Sequence, residues 1–264
     1  MEYRHKLILF CKSYINDIDR VKILYESIQL YNVDNLPFYI LIPSKDLNEF
    51  KLRFPDAIFL LEEDLNVTTD QSHFSQQLYK MSLYKLGIAE YYFTMDSDMY
   101  FIKPFHATDF LTEDGIPYFT IHECKDLLEY SECIAGDGRL RDWFASERNK
   151  IMNLFGRKGK LYDYSGSAAL YIAPIFEDLY ENYCKPNNLT FIDLLQYCAS
   201  ENTWFGEYIL YKGIKYMPSN PMFKTFHYKW QYDLAKQLGI TEEILANNYL
   251  GITMQSNWGA PLKF

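Results

Sequence analysis

Short apolar runs alternate with amphipathic stretches over the first hundred residues. Leu7–Cys11 is an unbroken apolar run and reads as a buried strand. After the polar stretch Lys12-Ser13-Tyr14, residues Ile18, Val21, Leu24, Tyr25 and Ile28 recur at helical spacing, with Asn16 or Asp17 as the N-cap. Pro37 and Pro43 bracket a second strand, Phe38–Ile42. Leu47, Phe50 and Leu52 suggest a further helix, and Ala57–Leu61 a third strand. Strands that alternate with helices predict a parallel sheet with right-handed crossovers. A helix of about four turns is then expected from Asp70 or Ser72 to Leu86, stopped by Gly87, with Gln77 and Lys80 on one face.

The most apolar stretch follows and ends abruptly in acid: Tyr91-Tyr92-Phe93-Thr94-Met95-Asp96-Ser97-Asp98-Met99-Tyr100-Phe101. If the backbone stays extended, Asp96 and Asp98 share a face, roughly 6.5–7 Å apart. Two carboxylates at the end of a buried strand are costly without a positive partner, either a hard divalent cation with oxygen ligands or an Arg or Lys. Open α/β sheets place their ligands at this edge, and the parallel order brings Lys12 and Ser13 to it as well. A second acidic pair, Asp17 and Asp19, opens a helix and needs no ligand, because acids favour the positive end of the helix dipole.

The second half is less regular. Ile116–Ile121 reads as a strand. Residues 122–160 run from acidic to basic, with a helical pattern over Arg141–Leu154, and read as an excursion over the site. Their basic residues Arg139, Arg141, Arg148, Lys150, Arg157, Lys158 and Lys160 either meet an anionic ligand or form a solvated face. Gly166, in Tyr164-Ser165-Gly166-Ser167, would let backbone approach a ligand closely. A strand to Ile172, a helix after Pro174, a helix from Glu201 through Glu207, and a short strand around His227 complete the pattern. A single domain with two functional halves, 1–110 and 111–264, fits this layout.

Composition narrows the classes. At 264 residues and 48% apolar content, the chain has enough material for a substantial core. A formal charge of −9 with scattered Lys and Arg argues against a nucleic-acid groove. No apolar run approaches the about 18 residues of a membrane span, and Leu7–Cys11 is too short for a secretory leader, so a cytoplasmic chain with at most peripheral membrane contact is expected. The cysteines Cys11, Cys124, Cys133, Cys184 and Cys198 lack Cys-x-x-Cys spacing and read as reduced thiols rather than zinc ligands. Aromatics make up 18% of residues, 24 of them Tyr, and aromatic faces such as Trp204 and Trp258 can platform a sugar.

Lys12-Ser13-Tyr14, Gln76-Gln77-x-x-Lys80 and Met95-Asp96-Ser97-Asp98-Met99 together resemble the GT-A glycosyltransferases, in particular small bacterial members with a DxD motif. The resemblance is strongest over residues 7–105. It implies a Rossmann-like α/β/α sandwich with a mostly parallel central sheet, whose first half binds a nucleotide-diphosphate sugar and whose second binds a glycan or lipid-linked glycan acceptor. It further implies Mn²⁺ or Mg²⁺ held by Asp98 and Asp96, with His227 as the matching C-terminal ligand. Donor contacts would come from Lys12, Ser13, Tyr14, Gln77, Lys80, Asp96, Ser97 and Gly166. Inverting members carry an acidic base on a helix of the second half, and Glu207 is the match, although the local pattern departs from theirs. The pathway implied is bacterial capsule, lipopolysaccharide or O-antigen synthesis. Three alternatives stand beside this reading: a retaining transferase of the same fold, a haloacid-dehalogenase-type phosphatase, and a non-catalytic carbohydrate-binding protein. The phosphatase also begins with Asp-x-Asp after an apolar strand, but its later acidic motif would fall at Asp137 and Asp142, too close to Asp98 for the intervening sheet.

Overall fold

The computed structural model describes residues 3–67, 74–136, 138–164 and 167–264. The predicted alternation is present at its start: β1 (His5–Lys12), α1 (Ile18–Tyr31), β2 (Phe38–Ile42), α2 (Leu47–Arg53), β3 (Ile58–Leu61), α3 (Ser75–Ser82) and β4 (Ala89–Met95). The chain then forms β5 (Met99–Phe101), β6 (Tyr118–Thr120), α4 (Lys125–Ala135), α5 (Arg139–Leu154), β7 (Ala169–Ile172), α6 (Ala173–Leu179), α7 (Phe191–Tyr197) and α8 (Glu201–Lys212). It closes with β8 (Met217–Ser219), β9 (Phe223–Phe226), α9 (Lys229–Gln237), α10 (Glu242–Ala246) and β10 (Gly251–Met254).

The central sheet has the order β3-β2-β1-β4-β7. Its first four strands are parallel, and β7 runs antiparallel on the edge. In β1 and β4 the apolar side chains are buried on both faces, as strands covered on both sides by helices require. The order reverses at β1: β2 and β3 extend to one side, β4 and β7 to the other. That reversal opens a crevice at the carboxyl ends of β1 and β4, where Cys11 lies beside Met95.

Several elements differ from the sequence reading. The N-cap expected at Asn16 or Asp17 makes no side-chain capping bond; a 3-10 turn, Ile15–Asp17, leads into α1 instead. Its position is fixed by Asp46, which accepts a hydrogen bond from the Ile15 amide (2.9 Å). The helix predicted to reach Leu86 does so as α3 followed by a 3-10 turn, with Gly87 left-handed at φ 59°. Its expected caps Asp70 and Ser72 lie outside the described residues, as does Asp137. The strand predicted at Ile116–Ile121 shrinks to β6 and pairs with β8 rather than joining the main sheet. Strand β10 carries no clear period in the sequence, yet it joins β5 and β9 in a second sheet. Apolar packing of Tyr100, Phe226, Ile252 and Met254 beneath α9 and α10 holds that sheet.

This second sheet overturns the extended geometry expected of Asp96 and Asp98. Strand β4 stops at Met95, and the Met99 amide donates back to the Asp96 carbonyl (3.3 Å), closing a turn. The chain turns because Met99–Phe101 pairs with β10 rather than continuing in the parallel sheet. The two carboxylates therefore sit on a tight turn between two sheets. Among the described residues, no helix is long and apolar enough to cross a membrane.

Candidate active site

The turn Asp96-Ser97-Asp98 borders the crevice. Asp96 Oδ1 accepts from Lys80 Nζ (2.9 Å) and Gln76 Nε2 (2.5 Å), both from α3. Lys80 is buried and also meets Glu201 Oε1 at 3.4 Å. Burial alone would lower the Lys80 pKa, but Asp96 and Glu201 outweigh it and hold the ammonium charged. Asp98 is different. Its Oδ2 accepts from the Ser256 amide (2.8 Å), while Oδ1 is buried with no hydrogen-bond partner among the described residues. Burial, then the neighbouring Asp96, pushes the Asp98 carboxyl above the ordinary carboxylate range.

Across the crevice, Lys12 is ion-paired to Glu62 (3.0 Å), and its ammonium lies 5.4 Å from the centre of the half-exposed Tyr14 ring. Ser13 is buried, and its Oγ, like Oε1 of Gln77, has no hydrogen-bond partner among the described residues. Ser13 Oγ, Gln77 Oε1 and Asp98 Oδ1 are thus three buried polar atoms without partners among the described residues. Folded proteins rarely leave such atoms unpaired unless a ligand, ion or water meets them. Ser97 is buried at the turn. Gly166 lies outside the described residues.

A cavity of about 710 Å³ is lined among others by His122, Asp163, Phe223, Thr225 and His227. Thr225 Oγ1 is 3.1 Å from Ser167 Oγ, just ahead of β7, which pairs with the strand that ends at Asp96. His227 lies one residue beyond β9 rather than within it. Strand register sets Phe226 beside Met254, whose amide donates to the Asp98 carbonyl (2.8 Å), so His227 emerges at the same end of the second sheet as Asp98. The charged groups that act on it most strongly are Asp163, Lys224 and His122, on the cavity side. Burial is the larger influence and lowers its pKa to about 4, leaving a neutral imidazole at pH 7.

Two residues expected in the site are placed in the core instead. Glu207 has no exposed side-chain surface and lies in the middle of α8. It receives Arg157 Nε and Nη2 as a bidentate pair (2.6 Å each) and the Tyr164 hydroxyl (2.6 Å). A carboxylate closed off in this way has no free face for an incoming hydroxyl, which argues against Glu207 as a general base. Its neighbour Gly206 is required because the Tyr164 ring occupies the space of a side chain; a Cβ there would fall 2.2 Å from the ring. Trp204 is likewise buried, its indole N–H shared between the Leu194 and Cys198 carbonyls (2.9 and 3.1 Å), so it offers no platform to an acceptor. Trp258 is half-buried, donates to the Phe226 carbonyl (2.9 Å) and stays close to His227.

The basic residues of 139–160 are largely spent on internal pairs: Arg141 with Glu132, Arg148 with Asp163, Lys150 with Glu147, Arg157 with Glu207 and Lys160 with Glu123. The pairs of Arg148 with Asp163 and Arg157 with Glu207 tie the excursion to the body of the protein, and the other three lie within it. The residue that the sequence reading passed over is Glu201. It stands in the first turn of α8 behind its cap Ser200, and that placement was the available signal.

A mostly parallel sheet, a crevice at its switch point and an acidic turn leading into a second sheet define the GT-A-like glycosyltransferase fold. Mouse xyloside xylosyltransferase 1 in its apo form shares this fold, with a TM-score of 0.55 over 99% of this chain and all of the mouse chain, at 9% identity. The chain belongs to DUF6492, a family of unknown function, whose family model matches residues 6–154, more than half of the chain. A search of curated proteins finds no match.

Proposed function

We propose that this protein transfers a sugar from a nucleotide-diphosphate donor to a hydroxyl of a glycan or lipid-linked glycan, aided by Mn²⁺ or Mg²⁺. The observation that carries this reading is Asp98 Oδ1, a buried carboxylate oxygen without a hydrogen-bond partner among the described residues, at the switch point of the sheet. Burying such an oxygen is costly, and a hard cation is the partner that suits it. Asp98 is its first ligand and Asp96 the second, and His227, which emerges at the same end of the second sheet, would have to move to join them. When bound, the cation would neutralise charge that grows on the departing diphosphate.

The chain's own groups supply the rest. Lys80 holds the Asp96 carboxylate in place and brings a fixed positive charge to the same edge. Ser13, Ser97 and Gln77 offer polar groups to the nucleotide half of the donor, and the half-exposed Tyr14 ring offers a face for its base. The cavity lined by Thr225 and His227 would take the acceptor. Residues 1–110 then serve the donor and 111–264 the acceptor. With Glu207 closed off, Glu201 is the acidic group of α8 next to the reacting edge, and it acts there by positioning Lys80.

A thermal-shift screen of UDP-, GDP-, dTDP- and CMP-sugars, each with and without Mn²⁺, tests the proposal. One donor should stabilise the protein by about 2.7 kcal/mol at a hundred times its dissociation constant, and only with the metal. Failure of every donor to move the midpoint in either condition would reject it.

A further inference from the structure

The acceptor-side cavity carries a second cluster of ligand-type side chains, and the sequence motifs gave no hint of it. A ring nitrogen of His122, Sγ of Cys124 and a carboxylate oxygen of Asp163 all lie within 4.8 Å of one another. We propose that these three residues bind a zinc ion, separate from the cation at Asp98, with the fourth position open to the cavity.

Zinc takes nitrogen, sulfur and oxygen together, and three protein ligands plus an open position is its arrangement in reactive sites. Ligand atoms around a tetrahedral zinc stand about 3.5 Å apart, so the side chains need to close by only about 1 Å. The backbone already holds two of the ligands face to face: the His122 amide donates to the Asp163 carbonyl (3.1 Å), and the Asp163 amide to the His122 carbonyl (2.7 Å). Cys124 adopts a left-handed conformation, φ 54°, unfavourable for a residue with a Cβ, at the very start of α4. The third ligand is oriented from behind. Asp163 Oδ1 accepts from Arg148 Nη2 (3.2 Å) and from the Tyr164 amide (2.9 Å), which turns Oδ2 toward His122 at 3.9 Å. Second-sphere support of this kind is what metal-ligating carboxylates require. His227 lines the same cavity and offers a further nitrogen donor.

The absence of Cys-x-x-Cys spacing does not oppose this site. The ligands come from two segments about forty residues apart that the His122–Asp163 bridge joins.

Titration of chelator-stripped protein with Zn²⁺ and with Co²⁺ tests the proposal without any assay of turnover. In Asp98→Asn, which removes the acidic-turn site, one equivalent should bind, and the cobalt form should show thiolate-to-cobalt charge transfer. Cys124→Ser should abolish that band, and both Cys124→Ser and His122→Gln should weaken zinc binding at least tenfold. Asp98→Asn should keep the charge-transfer band, and Cys133→Ser should leave both readouts unchanged, because Cys133 is an exposed thiol outside the cluster. Absence of a stoichiometric site, a charge-transfer band that survives Cys124→Ser, or one lost in Asp98→Asn would overturn it. His122→Gln keeps the test decisive should Cys124→Ser fail to fold.

Discussion

The Lys80 ammonium lies 2.9 Å from Asp96 Oδ1, and this buried pair is the charge balance on which the acidic turn rests. Glu201 completes a triad on the far side of the lysine. Lys80→Met would leave two carboxylates facing each other without a counter-ion. The expected cost is about 3–5 kcal/mol, read as a lower urea midpoint. Because the Lys80 pKa is raised, its contribution is complete below the ordinary lysine value and is lost only as pH rises through the folded one. The loss should therefore be constant between neutral and mildly acidic pH. Mn²⁺ should stabilise Lys80→Met more than the wild type, since it supplies positive charge at the same turn. An unchanged midpoint would show that the pair is not structural.

Asp98 is held in the opposite sense. Its carboxyl pKa is raised, so the charged form is disfavoured in the fold and the protein is less stable above that pKa than below it. Asp98→Asn removes this penalty and can still accept from the Ser256 amide. In the absence of divalent metal, the variant should melt about 2 °C higher, the shift of roughly 1 kcal/mol in a protein of this size. It should also lose stabilisation by Mn²⁺. Stability traded for a ligand in this way marks a functional group, whereas a purely structural aspartate would melt lower when replaced.

The sequence makes the first half of the fold legible for a physical reason. Strands such as Phe38–Ile42 are buried on both faces and write themselves as unbroken apolar runs, and helices such as Ile18–Tyr31 show a clear 3.6-residue period. Strand β10 was illegible because Gly-Ile-Thr-Met is short and gains meaning only from its neighbours β5 and β9. The turn at Asp96 is hidden in the sequence for the same reason, since only the pairing of Met99–Phe101 with β10 bends the chain there. The acidic pair itself was legible, since carboxylates interrupting so apolar a run need an explanation. Glu207 shows the limit: an acidic residue on the right helix looks catalytic until the partner of its charge, fifty residues earlier at Arg157, is known.

Glu207 and Arg157 are therefore expected to behave as a structural pair. Glu207→Gln should destabilise the protein by about 3 kcal/mol, because it strips a half-buried guanidinium of its counter-charge. Arg157→Met added to Glu207→Gln should cost much less than the sum of the two single changes, and a double-mutant cycle by urea denaturation measures that coupling. Should Glu207→Gln keep wild-type stability while abolishing transfer, the carboxylate is the base after all.

His227 gives the protein a particular acid sensitivity. Its pKa falls from 6.5 to about 4 on folding, with burial the largest cause. A histidine whose folded pKa is lowered takes up its proton first in the unfolded chain. Stability is therefore present above about pH 6.5 and declines as pH falls toward 4, by at most about 3 kcal/mol. The difference between wild type and His227→Gln isolates this contribution from the remaining histidines. In the metal-free protein, the two stability curves should run parallel above pH 7 and converge as pH falls, the wild type losing more. The same neutral imidazole is the form a metal ion binds, so Mn²⁺ or Zn²⁺ at neutral pH should stabilise the wild type without any proton release from His227. Parallel curves across the whole range would mean that the imidazole titrates as it does in water and faces solvent rather than the cavity.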